Sequence, residues 1–291
     1  MEQAERWFER AFVVATAILV VAAVLGARLG SSTTLVVLVA GVVVLGLPHG
    51  ALDPMVARKA FANDERYNRL SFYVGYLVAA FLYVLLWMRL PTLGLASFLT
   101  ISAYHFGSDW YPRGSTFTRL AYGLAVVTLP ALLHASDETR IFALLGTRHP
   151  QMLIEISKLL APLAVTVAGG GAVLQFKQRR KDLMEFLAIV AGALVLEPLV
   201  FFTCYFSLLH SPRHLLETAK DLGLTNFQSI ASKSLSILIA TLVLGGLFYM
   251  SLRDASMSGR VVMTVFIGLA ALTVPHMLLE TLASQIGRNR S

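Results

Sequence analysis

Residues 201–217 read FFTCYFSLLHSPRHLLE. The segment is apolar enough to sit in lipid, yet it carries His210 and His214 with Arg213 between them. Positions i and i+4 of a helix project from one face. Two imidazoles one turn apart can grip a single metal ion from one helix, but Ser211 follows His210, so this is not the zinc-protease pattern HExxH. Pro212 removes a backbone donor and bends the helix. A membrane helix tolerates that where neighbouring helices or water satisfy the freed groups.

The rest of the chain has the same character. It has 291 residues, 56% hydrophobic and only 14% charged, against about 25% charged in soluble domains. Mean hydropathy is +0.70. Apolar runs near the ~20 residues that cross a bilayer recur from end to end, with no polar stretch long enough for a second domain. The reading is a single transmembrane domain over residues 1–291: an all-α, polytopic helical bundle of eight to ten transmembrane helices. Spans fall near 11–29, 33–57, 71–90, 92–110, 117–134, 152–174, 183–196, 198–221, 229–252 and 261–283. Pro198 interrupts residues 183–221, leaving either two helices with a tight turn or one kinked helix.

Charge sets orientation. With the N-terminus inside, the inner segments up to Lys181 carry twelve Lys and Arg and the outer ones between them four. That excess predicts a multi-pass protein of the cell (inner) membrane with a cytoplasmic N-terminus. The formal charge of +7 is spread over short loops, which points to anionic lipid and not to nucleic acid. The first ten residues mix three Glu with two Arg, unlike a secretory signal, so the first span reads as a retained helix. Cys204 is the one cysteine; it reads as a small buried hydrophobe.

There are seven histidines. His134 and His149 flank a polar loop and read as surface residues. His49, His105, His210, His214 and His276 lie within or at the ends of apolar spans, where ionisable groups are rare and face the bundle interior with a partner. Asp53, Asp109 and Glu280 each follow one of these histidines by four residues, and Glu217 follows His214 by three. Metal-bound histidines commonly donate their other N–H to a carboxylate or carbonyl, so the four acids are candidate outer partners. The pairs His49–Asp53 and His105–Asp109 echo one another. With imidazoles and few carboxylates, zinc, copper, iron and nickel all remain open. Tyr104, Phe106, Phe202, Tyr205 and Phe206 flank the histidines and could line an apolar tunnel.

PHGALD (48–53), YHFG (104–107), CYFSLLHSPRH (204–214) and PHMLLE (275–280) together resemble the Brp/Blh family of membrane β-carotene 15,15′-dioxygenases. The stretches occur in the family's order, with similar separations, over most of the chain. The resemblance implies Fe(2+) held by His49, His105, His210 and His214. His276 is then a fifth ligand, an outer partner or a substrate contact. It implies cleavage of β-carotene by O2 at the central double bond to two molecules of all-trans-retinal, and a functional link to a microbial rhodopsin. Site selectivity would come from tunnel length on either side of the iron.

Other readings compete. A membrane di-iron lipid hydroxylase needs about eight histidine-type ligands, more than this chain contains. A non-enzymatic carotenoid- or retinal-binding accessory protein for an opsin needs no metal. A proton-coupled transporter and a bis-histidine haem protein complete the set.

Overall fold

The structure is a computed structural model, which describes residues 1–62, 68–110, 115–174 and 180–288. The loop cations Arg66, Arg113, Lys177 and Arg179 that enter the orientation argument lie outside those residues. Among the described residues the chain is helical and has no strand.

Helix α1 (Glu2–Val24) is followed by α2 (Ser31–Gly41), a single π-turn at Val42–Gly46, a short 3-10 turn at Gly50–Leu52 and α3 (Asp53–Ala60). Next come α4 (Arg69–Arg89), α5 (Pro91–Trp110), α6 (Thr116–Thr128), α7 (Pro130–Leu133) and α8 (Ala135–Leu144). The chain continues through α9 (Pro150–Leu174), α10 (Arg180–Val195) and α11 (Pro198–Tyr205). A second π-turn, Phe206–His210, leads into α12 (Ser211–Asp221), and α13 (Phe227–Ser251) and α14 (Met257–Arg288) finish the chain.

Among the described residues, seven stretches are long and apolar enough to cross a membrane: residues 2–24, 31–60, 69–89, 116–133, 150–174, 227–251 and 257–286. This is a multi-pass membrane protein. Side chains such as Leu77, Phe81 and Leu82 on α4, and Leu235, Ile239 and Val243 on α13, are exposed. On a soluble protein such faces would drive association; here they are the faces lipid covers.

Several sequence signals act locally. Asn68, Ser115 and Asn226 each cap a helix by accepting a bond from a backbone N–H, at Leu70, Thr118 and Ser229. Pro198 opens α11, where its missing N–H costs nothing. The ambiguity over residues 183–221 resolves as two helices: Leu196 and Glu197 form the turn, and Arg213 returns to bond Glu185 near the start of α10. Helix α1 begins nine residues before the expected span. Its polar first turns are tolerable because Glu9 is paired with Arg213 and Lys181.

Close approach places α5. A Cβ on Gly123 would collide with the Ala103 carbonyl, and one on Gly107 with the Arg119 carbonyl. The backbones of α5 and α6 therefore touch directly, as small residues allow in membranes. Behind α6, α9 presents buried Ala161, Ala164, Ala168 and Ala172, a stripe with helical spacing. This tight slab fixes the register of His105 and Asp109 on α5.

Candidate metal centre

The two π-turns prepare the centre. Each inserts one residue into a helix, frees carbonyl groups and swings the following side chains. Val42–Gly46 lies just before His49, and Phe206–His210 ends on His210. They lie against one another, and a Cβ on Gly46 would come within 2.6 Å of the Phe206 ring. The freed carbonyls do not go unsatisfied. Ser211 donates to Leu45 and Gly46 at 2.6 and 2.8 Å, and His49 Nδ1 donates to the Gly46 carbonyl at 2.5 Å.

Five imidazoles from separate parts of the chain converge. The ring centroids of His105 lie 4.7 Å from His210, 4.8 Å from His214 and 5.3 Å from His276. His49 lies 5.6 Å from His210 and 5.5 Å from His276. His105, His210 and His276 are buried.

The hydrogen bonds fix which nitrogen faces inward. His210 Nδ1 donates to Asp109 Oδ2 at 2.7 Å, and His276 Nδ1 donates to Asp53 Oδ1 at 2.9 Å. A neutral imidazole that donates from Nδ1 keeps a lone pair on Nε2. Nε2 of His210 and Nε2 of His276 are buried without a hydrogen-bond partner, which is costly unless a ligand takes the lone pair. Three of the rings, with that of His49, therefore have their outer nitrogen committed.

His214 and His105 are held differently. His214 Nε2 lies 3.4 Å from Asp109 Oδ1, and its Nδ1 lies 3.6 Å from Glu280 Oε1. His105 Nδ1 lies 3.9 Å from Glu280 Oε2. Glu280 also stands 3.4 Å from His276 Nε2, so this one carboxylate faces three of the five rings.

The residues fit a transition metal. Donor atoms of His49, His105 and His210 lie within 4.8 Å of one another, as do those of His105, His276 and Glu280. Two nitrogens bound at about 2.0–2.1 Å can be no more than about 4.2 Å apart, so under an ångström of closure suffices. Behind the rings, Asp53 and Asp109 bring negative charge to balance a buried divalent ion.

The two aspartates do not serve the histidine one turn before them, whereas Glu280 does face His276. Asp53 follows His49 in sequence but holds His276 of α14, and Asp109 follows His105 but holds His210. A helix sets two such side chains side by side, and each acid reaches across to a neighbouring helix. Glu217 is on the exposed side of α12. Tyr104 is 58% exposed on the outer face of α5 and so is directed away from the cluster. Tyr205 is wholly buried and donates to Asp109 at 2.8 Å. Phe106 and Phe206 lie against the His210 ring at 4.7 and 5.5 Å, and Phe202 stacks on Phe206 at 5.3 Å. His134 bonds the Leu194 carbonyl and His149 is exposed, both outside the cluster.

Some participants had little sequence signal. Ser211 sits beside His210, but nothing marks it as the partner of a carbonyl 165 residues away. Tyr76, which donates to Asp53 at 2.8 Å, looks like any aromatic of a membrane helix. Arg213 donates to the Asp109 carbonyl at 2.8 Å, to Glu9 at 3.1 Å and to Glu185 at 3.0 Å. A buried cation needs such partners.

Fold and site together define a membrane-embedded helical protein with a histidine cluster able to hold a transition metal. A family model described as Beta-carotene 15,15′-dioxygenase matches residues 40–283. The chain belongs to that family. It is 31% identical over 249 residues to a protein of the uncultured marine bacterium 66A03 named Beta-carotene 15,15′-dioxygenase, covering 82% of this chain and 90% of that one. No solved structure matches the chain.

Proposed function

We propose that this protein is a β-carotene 15,15′-dioxygenase that cleaves the central double bond with O2 to give two molecules of all-trans-retinal. The observation that carries the proposal is the convergence of five imidazoles, with Nε2 of His210 and His276 buried and unpartnered, in a chain of this family. His49, His105, His210 and His214 would hold Fe(2+), with His276 as a fifth ligand. Bound iron would supply the activation of O2 toward the polyene. Asp53 and Asp109 hold their rings in one tautomer and offset the metal's charge. Phe106, Phe202 and Phe206 give the centre an apolar wall that keeps water out and suits a long lipid-soluble substrate. Both oxygen atoms enter product, so turnover needs no external reductant.

The centre lies at the end of the bundle where the N-terminus lies, since Glu9 of α1 reaches Arg213 beside the cluster. The loop charges support a cytoplasmic side of the cell membrane for the N-terminus, and with it for the centre. Besides the seven spans, α5, α10 and α11–α12 are embedded in the bilayer, which makes ten. Retinal then leaves into the lipid phase, where an opsin can take it up.

The test is a product analysis. Detergent-purified protein with β-carotene in air should give retinal as the sole aldehyde, and none without O2 or after iron chelation. Tight retinal binding without O2 consumption would replace this reading with that of an accessory carrier. Two irons per chain would favour a di-iron hydroxylase.

A further inference from the structure

Each of the two carboxylates behind the cluster has a tyrosine donor besides its histidine. Asp109 Oδ2 accepts from His210 Nδ1 at 2.7 Å and from the Tyr205 hydroxyl at 2.8 Å. Asp53 accepts from His276 Nδ1 at 2.9 Å and from the Tyr76 hydroxyl at 2.8 Å. The same Tyr–Asp–His arrangement is thus built twice from different helices. Helices α11 and α5 supply one with His210; α4, α3 and α14 supply the other.

We propose that Tyr76 and Tyr205 are positioning residues of the centre, each locking an aspartate so that the aspartate locks its histidine. This rests on the metal-binding reading above. An ionised carboxylate has about four acceptor positions, and one histidine donor leaves most of them empty. In a buried site those vacancies let the carboxylate swing between rotamers, and the imidazole swings with it. The second donor removes that freedom. Tyr76 adds a tie between helices: its hydroxyl also lies 3.4 Å from the Leu272 carbonyl, one turn before His276 on α14. It therefore holds Asp53 and the His276 helix at one distance. Neither hydroxyl touches a metal-facing nitrogen, so both act only through the aspartates.

Tyr83 supplies the comparison. It lies on α4 two turns beyond Tyr76 and donates to the Gly94 carbonyl at 3.0 Å, away from the cluster. Removing its hydroxyl costs a buried hydrogen bond of the same kind without touching either aspartate.

The experiment measures Fe(II) affinity of purified Tyr76→Phe, Tyr205→Phe and Tyr83→Phe beside the parent, with the electron paramagnetic resonance spectrum of each Fe(II)–nitrosyl adduct. Losing an outer partner typically costs about 10–100-fold in metal affinity. These hydroxyls stand one bond further out, so about 10-fold is expected for Tyr76→Phe and Tyr205→Phe, with a broadened nitrosyl signal. Tyr83→Phe should match the parent in both. Parent-like affinity and spectra in Tyr76→Phe and Tyr205→Phe would overturn the proposal while leaving the metal reading intact. An equal loss in Tyr83→Phe would overturn it too, by showing general loosening. A parent that binds no Fe(II) would end the metal reading and this one with it.

Discussion

On one side of the cluster, His210 and Asp109 have no exposed side-chain surface, and Arg213 ties the backbone of Asp109 to Glu9 and Glu185 behind them. On the other side, Asp53 holds His276, and Glu280, whose side chain keeps 33% exposure, faces His276 together with His105 and His214. Both sides use a histidine, an aspartate and a tyrosine. Among the described residues, only the first is backed by a buried arginine paired with two acids, and opening it would strand those charges in apolar surroundings. The Glu280 edge can shift without that cost. The α5–α12 side is therefore the fixed wall, and the α14 edge is where the centre can adjust to a ligand.

The largest test of this asymmetry is removal of ligands from each side. His210→Ala and His214→Ala should each lose most bound iron and activity while the protein stays in the membrane. His276→Ala should lose activity but retain part of its iron. Metal analysis of the purified variants decides, and unchanged iron in both wall variants would remove His210 and His214 from the ligand set.

Next in size is the ion network. Arg213→Met should destabilise by about 3–5 kcal/mol, because buried Glu185 loses its hydrogen-bonded cation and Glu9 keeps only Lys181. Lys181, which also meets Glu9, has a side chain 58% exposed, and Lys181→Ala should cost under about 1 kcal/mol. Thermal unfolding in detergent compares them; equal losses would mean that the wall owes nothing to burial.

The aspartates come third. Asp109→Asn and Asp53→Asn should each weaken Fe(II) binding by about 10–100-fold. The loss should be larger at Asp109, which faces both His210 and His214. A larger loss at Asp53 would reverse the assignment of wall and edge.

The smallest effect joins the two sides. Gly46→Ala should cost about 1–3 kcal/mol through overpacking, since its Cβ would press on Phe206 at 2.6 Å. Gly50→Ala, with no atom within 4 Å of the added carbon, should be nearly neutral. The same melts separate them.

Much of this was legible beforehand. Hydropathy placed the helical stretches other than α1 within a few residues, because a lipid-facing helix must be apolar for the whole thickness of the bilayer. Pro198 marked a break, though whether the chain kinked or turned back depended on Arg213 finding Glu185. The five histidines stood out because imidazole is rare in such surroundings. The i+4 acids stood out too, but spacing did not say which imidazole each holds: Asp53 belongs to His276 and Asp109 to His210, across gaps of 223 and 101 residues. The aromatics near the histidines also divided. Tyr104 faces outward and Tyr205 inward to Asp109, although both are tyrosines close to a histidine in sequence.

The sequence by itself determined that this is a helical membrane protein, which residues are too polar for lipid, and to which family the chain is similar. Those properties depend on composition and on local spacing along one helix. Tertiary structure alone decided which acid holds which imidazole, which nitrogen faces inward, and that two tyrosines and Arg213 stand behind them. Such pairings depend on helix rotation and on π-turns of a single extra residue, and the bonds they form join positions that no local pattern connects.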